Sequence, residues 1–235
     1  MDKKELQNPA LYTNRELSWL LFNKRVLSEA RDKQLLLFER LKFLSITASN
    51  LDEFFMVRIG SLVDMIHAEY TKKDIAGMSA KEQLDALMEE THKFAALQYS
   101  TYNRMLLPQL RANGLNFVEH HEQLTERQAQ YVDEYFEENV YPVLTPMAVD
   151  SSRPFPLIRN KTLNIGALVA KKGEKDTEIE FATVQVPSVL PRVVRIPAAK
   201  EGDTEVAVLL LEEIIERNIS KLFLNYNVLC AHPFR

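Results

Sequence analysis

From Leu35 to Tyr70 the chain keeps helical periodicity through 36 residues with no proline and one glycine, Gly60. Nothing in that stretch stops a helix. A helix this long carries an apolar stripe that it cannot bury alone, so other helices must lie alongside it. The flanking sequence supplies two. Thr13 with Glu16 and Ser79 with Glu82 read as capping boxes, a hydroxyl followed three residues later by a carboxylate. The first helix is expected over Asn14–Arg31, where Leu17, Leu20, Leu21, Lys24 and Leu27 keep the 3.6-residue spacing and Trp19 and Phe22 widen the stripe. The third is expected over Ala80–Asn113, ending at Gly114, with Pro108 a source of kinking. Three long helices with short connections predict an up-and-down three-helix bundle over residues 1–113.

The pattern changes after Gly114. "LNFVE" reads as a short strand, and a third capping box, Thr125 with Gln128, opens a helix to Asn139. "YPVLTPMAVDSSRPFP" holds four prolines in sixteen residues and is expected to be extended or looped. "TLNIGALVAKK" and "IEFATVQVP" form a predicted hairpin around the charged turn "KGEKDTE". "VVRIP" is a short strand, "EVAVLLLEEIIERNISKLF" a fifth helix, and "YNVLCAHPFR" a further strand. Residues 114–235 therefore read as an α+β domain that looks cut at Arg235, where no turn follows the strand.

At 235 residues and 46% hydrophobic content the chain can build a core without disulfides, and its single cysteine, Cys230, allows no internal one. That usage fits a reducing cytoplasm. No apolar run reaches the ~18 residues of a membrane span, and the N-terminus lacks a signal-peptide core, so a cytosolic location is expected. The net charge of -4 argues against nucleic acid as a partner. Residues 153–200 nonetheless carry nine Lys or Arg and four Asp or Glu. Within them Arg153, Arg159, Lys161, Lys171, Lys172, Arg192 and Arg195 read either as a positive path for a polyanion or as solvated hairpin charges.

No Walker loop, GxGxxG, HExxH, GxSxG or CxxC is present. His67, His92, His120, His121 and His232 lack convincing ligand spacing and read as surface or structural histidines, so no metal ligand is assigned. "SNLDEFFMVRIG" places Asn50, Asp52, Glu53 and Arg58 among large apolar residues. Asn50 shares a helix face with Glu53, Phe54 and Val57, and its amide either bonds a neighbouring helix or faces a ligand. Asp52, Glu53 and Arg58 read either as bundle and interdomain ion pairs or as groups that support a ligand pocket at Asn50 from behind.

"NRELSWLLFNKRVLSEA" and "LLLFERLKFLSITASNLDEFFMVRIGSL" resemble the N-terminal helical domain of the type 1 polyphosphate kinases. "YPVLTPMAVDSSRPFPLIRNKTLNI", "FATVQVPSVLPRVVRIP" and "YNVLCAHPFR" resemble successive pieces of that family's head domain. The resemblance implies a phosphotransferase that reversibly moves the ATP terminal phosphate onto polyphosphate through a transient phosphohistidine. It implies ATP or ADP and polyphosphate as partners, Mg2+ as cofactor, and a homo-oligomer with possible peripheral membrane association in the parent. The phosphohistidine and the Mg2+-binding residues belong to later domains, so no catalytic residue is assigned here and this stretch alone is expected to be inactive. The resemblance carries contact with the nucleotide base onto Asn50. The competing expectation is a non-catalytic interaction or dimerisation module that binds no nucleotide.

Overall fold

Helix α1 spans Arg15–Arg31 and is capped one residue later than the hydroxyl pattern suggests. Asn14 Oδ1, not Thr13, accepts the N–H groups of Glu16 and Leu17 at 3.0 and 2.9 Å. Asparagine also carries N–H donors, and Asn14 Nδ2 donates to Asp74 and Gln83 at 2.7 and 2.8 Å. One side chain thus starts the helix and ties it to its neighbours.

This computed structural model describes residues 5–149, 155, 157–173 and 179–235. The second rod consists of α2 (Leu37–Phe54), a π-helical segment Phe55–Ile59 and α3 (Gly60–His67). At the π segment the Gly60 N–H reaches back five residues to Phe55 O, which rotates the face that follows. Phe54 and Ile59 are therefore buried while Phe55, Met56 and Val57 lie exposed between them. The rod ends short of Tyr70, at a left-handed Glu69 with φ +52°. The third rod is α4 (Ala80–Thr101), a second π segment Tyr102–Leu106, and α5 (Leu107–Ala112). Its π turn lies just before Pro108, the residue that lacks an N–H for the next rung. Gly114, at φ +79°, takes the chain out of the helix. Each rod packs on the other two. Trp19 stacks on Phe54 with ring centroids 4.5 Å apart, inside a cluster with Leu20, Ile59, Leu62, Ala80 and Leu87.

The chain divides into two compact units, Met1–Ala112 and Asn113–Arg235. The second unit contains β1 (Leu115–Val118), α6 (Glu126–Tyr135) with a π-helical end at Phe136–Val140, β2 (Pro146–Val149), β3 (Asn164–Lys171), β4 (Glu180–Gln185), β5 (Val193–Ile196), β6 (Val206–Leu210), α7 (Leu211–Arg217) and β7 (Tyr226–Phe234). A three-stranded sheet runs β1-β6-β5, with β1 parallel and β5 antiparallel to β6. A four-stranded antiparallel sheet runs β2-β4-β3-β7. The fold is thus a helical domain followed by an α+β domain.

One element differs from expectation. The fifth helix is preceded by a strand: "VAVLL" forms β6, the centre of the three-stranded sheet, and only "LEEIIER" is helical. A short, wholly apolar run has no polar face to reveal its period, and two β-branched valines favour the strand. The three-stranded sheet, the hairpin and helices α6 and α7 enclose one continuous core around Val132, Phe136, Ile165, Leu209, Ile214 and Ile215.

Candidate functional site

Asn50 sits near the end of α2, half-buried. A chain of hydrogen bonds fixes how its amide points. Asn23, fully buried on α1, donates through Nδ2 to Thr47 O at 3.1 Å. That leaves Asn23 Oδ1 as an acceptor, and Asn50 Nδ2 donates to it at 3.0 Å. Thr47 is held in turn: its hydroxyl donates to Leu44 O at 2.6 Å and accepts from Gln98 Nε2 of α4 at 2.9 Å. Three rods therefore converge on one polar seam. Its last member, Asn50, keeps an Oδ1 acceptor and a second amide hydrogen without a protein partner among the described residues.

One to two turns further on, Arg58 lies 3.7 Å from Glu16 of α1, a carboxylate that is 6% exposed and also bound by Arg15 at 2.7 Å. This is an ion pair between bundle helices, one of the two roles expected for Arg58. Arg15, Glu16 and Arg58 line a cleft of about 390 Å³ together with Lys72, Lys73 and Asp74.

The basic middle of the chain does not form a single run of unpaired cations. Arg192 binds the buried Glu212 through Nε and Nη2, the latter at 2.6 Å. Lys171 lies 3.6 Å from Glu180, and Lys172 Nζ donates to Leu224 O at 3.0 Å. Arg159, Lys161 and Arg195 are exposed, and Arg153 lies outside the described residues.

Three of the five histidines, in contrast, are brought together. His120 and His121 follow β1, Glu213 and Glu216 stand on α7, and His232 lies on β7. The His121 backbone N–H donates to Glu213 Oε2 at 2.9 Å, and its Nδ1 lies 3.1 Å from the same oxygen. His120 Nδ1 is 3.9 Å from Glu213, and His232 Nδ1 is 3.5 Å from Glu216. Burial and the charge of Glu213 push the Glu216 carboxyl above the usual carboxylate range, against the pull of His121 and His232.

Asn23 and Gln98 gave no signal in the sequence, because an amide on an apolar helix face shows no partner until the helices are assembled. The histidine–glutamate group joins residues ninety and more positions apart and is equally invisible to local spacing.

Two family models match the chain in order: the polyphosphate kinase N-terminal domain over residues 12–118 and the polyphosphate kinase middle domain over 127–235. The polyphosphate kinase of Lactiplantibacillus plantarum is 50% identical over 217 residues, which cover 92% of this chain and 29% of that protein. The one from Halalkalibacterium halodurans is 45% identical over 232 residues, 98% of this chain and 32% of that protein. The crystal structure of polyphosphate kinase from Porphyromonas gingivalis superposes with a TM-score of 0.81 at 30% identity, over 94% of this chain and 32% of that one. The chain spans about a third of the length of these relatives.

Proposed function

Because the chain belongs to the polyphosphate kinase family, spanning its N-terminal and middle domains, we propose that it is part of an enzyme that reversibly transfers the ATP terminal phosphate to polyphosphate through a phosphohistidine. In this reading residues 1–235 contribute contact with the nucleotide base and take part in assembly of a homo-oligomer. The chemistry itself falls to residues beyond these two domains. Mg2+ would accompany the nucleotide, but the carboxylates grouped here, Glu213 and Glu216, stand beside imidazoles, whereas Mg2+ prefers oxygen ligands and water.

The observation that carries the base contact is the fixed amide of Asn50. Its bond to Asn23 leaves one acceptor and one donor on the same planar group, the pair needed to read an adenine edge. The exposed Phe55, Met56 and Val57 one to two turns on add apolar surface of the kind that flanks a base. Exposed Arg159, Lys161 and Arg195 are the cations best placed to meet a polyanionic chain.

The histidines support assigning the phosphohistidine elsewhere. His120, His121 and His232 lie against carboxylates, surroundings that repel an incoming phosphoryl group. Residues 1–235 alone, incubated with labelled ATP and polyphosphate, are expected to show neither chain elongation nor an acid-labile phosphohistidine.

In the complete enzyme, Asn50→Ala is expected to lower kcat/KM for ATP by roughly 10- to 100-fold, matching a lost amide contact of about 1–3 kcal/mol. Discrimination between ATP and GTP should relax, and the melting temperature should fall as well, because the substitution leaves the buried Asn23 Oδ1 without its donor. Unaltered ATP kinetics with a clearly lowered melting temperature would reject the base contact. That outcome would favour the second reading, an interaction module in which the Asn50–Asn23 bond only joins two helices.

A further inference from the structure

The second unit contains a group of side chains that neither base contact nor phosphoryl transfer uses. The geometry points to a binding site for a divalent transition ion of the Zn2+ type, formed by His121, Glu213 and Glu216 with His232 as a fourth ligand. The ligand atoms of the first three lie within 4.8 Å of one another. A tetrahedral ion with metal–ligand bonds of about 2.0–2.1 Å has ligand–ligand edges of about 3.3 Å. Two edges already bracket that length: His121 Nδ1 to Glu213 Oε2 at 3.1 Å, and His232 Nδ1 to Glu216 Oε1 at 3.5 Å. Glu213 is anchored by the His121 backbone N–H, and the exposed His232, already 3.5 Å from Glu216, would turn toward the other three to complete the set.

The chemistry of the donor set selects the ion. Two imidazoles and two carboxylates suit Zn2+, Co2+ or Ni2+ and suit Mg2+ or Ca2+ poorly. Electrostatics point the same way. Glu213 and Glu216 stand three residues apart on one face of α7, with side chains only 11% and 16% exposed. Two carboxylates held that close and that dry repel each other, and a dication between them converts the repulsion into attraction. His120 and Glu122 at the rim can supply an outer shell.

Such an ion would act as a clamp. His121 follows β1 of the three-stranded sheet, Glu213 and Glu216 follow its central strand β6, and His232 lies in β7 of the four-stranded sheet. One ion would join both sheets and the helix beneath them.

The test uses the untagged 235-residue chain, stripped with a chelator and then dialysed against Zn2+ or Co2+. The expected result is one equivalent bound per chain, intense visible d–d bands with Co2+, and a higher melting temperature with Zn2+ but not with Mg2+. His121→Ala and Glu216→Gln should each weaken binding by more than about tenfold, since loss of an outer-shell partner alone costs that much. His92→Ala, on an exposed helix face of the other unit, should change nothing. His232→Ala replaces only an exposed side chain, so it tests the site even if the buried variants fold poorly. Binding that survives in His121→Ala and His232→Ala, or stoichiometry set by His92, overturns the proposal. So does an absence of binding, which would mean that a proton alone bridges His121 and Glu213.

Discussion

The two units bury their polar groups differently. In the helical unit the apolar interior is split into a cluster around Phe54 and a smaller one around Leu27, Ala30 and Phe94. Between and beyond them lie buried Asn14, Glu16, Asn23, Arg40, Thr47 and Gln83, each joined to another helix or loop. In the α+β unit one continuous cluster draws on both sheets and both helices, and buried Glu212, Glu213 and Asn218 hold its margin. A bundle of parallel rods can slide or rotate in register, and directional bonds through its interior forbid most of those alternatives. Sheets fix register through their own ladders and have less need of such bonds. The difference also locates reactivity. A half-satisfied amide, Asn50, occurs where the polar seam surfaces from the bundle, and the histidine–glutamate group occurs at the rim of the α+β core.

The sharpest way to break this contrast is to cut each core at its largest side chain. Phe54 is 1% exposed and stacked on Trp19, and Phe136 is fully buried. Replacing either with alanine should cost about 3–5 kcal/mol. In the split interior of the bundle that loss removes the larger cluster's centre, so Phe54→Ala should unfold the first unit at ambient temperature. Phe136→Ala should leave the second unit folded but with a markedly lower melting temperature. Thermal melts followed by Trp19 fluorescence, which reports the first unit alone, and by far-UV circular dichroism, which reports both, distinguish the two. Equal effects of both substitutions would mean that the split core is no weaker than the continuous one.

A smaller effect tests the polar seam. Asn23→Ala deletes one side chain and two bonds, its own to Thr47 O and the one it accepts from Asn50 Nδ2, although Thr47 O keeps its helical partner within α2. The expected cost is about 1–3 kcal/mol in a urea melt. Asn23→Leu, which fills the space without restoring the bonds, should not recover it. Full recovery by leucine would show that the seam contributes only volume.

How much of this could be read from the sequence follows from the range of each interaction. The three rods were legible because periodicity and caps are local: Ser79 with Glu82 and Thr125 with Gln128 form the expected reciprocal caps. Thr13 lost to Asn14 because the asparagine gains Asp74 and Gln83, partners sixty or more residues away. Strand β6 was read as helix because "VAVLL" offers no polar face from which to judge a period. The π segments at Phe55–Ile59 and Tyr102–Leu106 leave no compositional trace. Asn50 stands out as a polar group on an apolar helix face, but its role in contacting a nucleotide comes only from family resemblance. Its orientation depends on Asn23, which sits 27 residues away on another helix.

The smallest expected effect concerns acid, and it should touch one unit more than the other. Arg217 of α7 binds Asp133 of α6 through two parallel bonds, at 2.8 and 2.9 Å, and Asn218 adds a third at 3.1 Å. The guanidinium, chiefly, holds the Asp133 carboxyl below its ordinary value of 3.8 despite partial burial. A carboxylate with a depressed folded pKa stabilises the fold fully above its unfolded value and loses that contribution as pH falls through the lower folded value. The window therefore lies below pH 3.8. In the first unit the resolved shifts fall on Glu82, Glu89 and Lys93, all on the open helix surface, where solvent screens them. Asp133→Asn should therefore flatten the acid limb of the second unit's stability curve and leave the first unit's unchanged. At neutral pH the same substitution should cost no more than about 1 kcal/mol, because the pair is roughly one-third exposed. The measurement is a series of urea melts in chelator-containing buffer from neutrality downwards, with Trp19 fluorescence for the first unit and, for the second, the part of the far-UV circular dichroism transition that does not coincide with it. An acid limb of unchanged slope in Asp133→Asn would assign the acid sensitivity to other carboxylates and leave the Arg217 pair as a positioning contact between two helices.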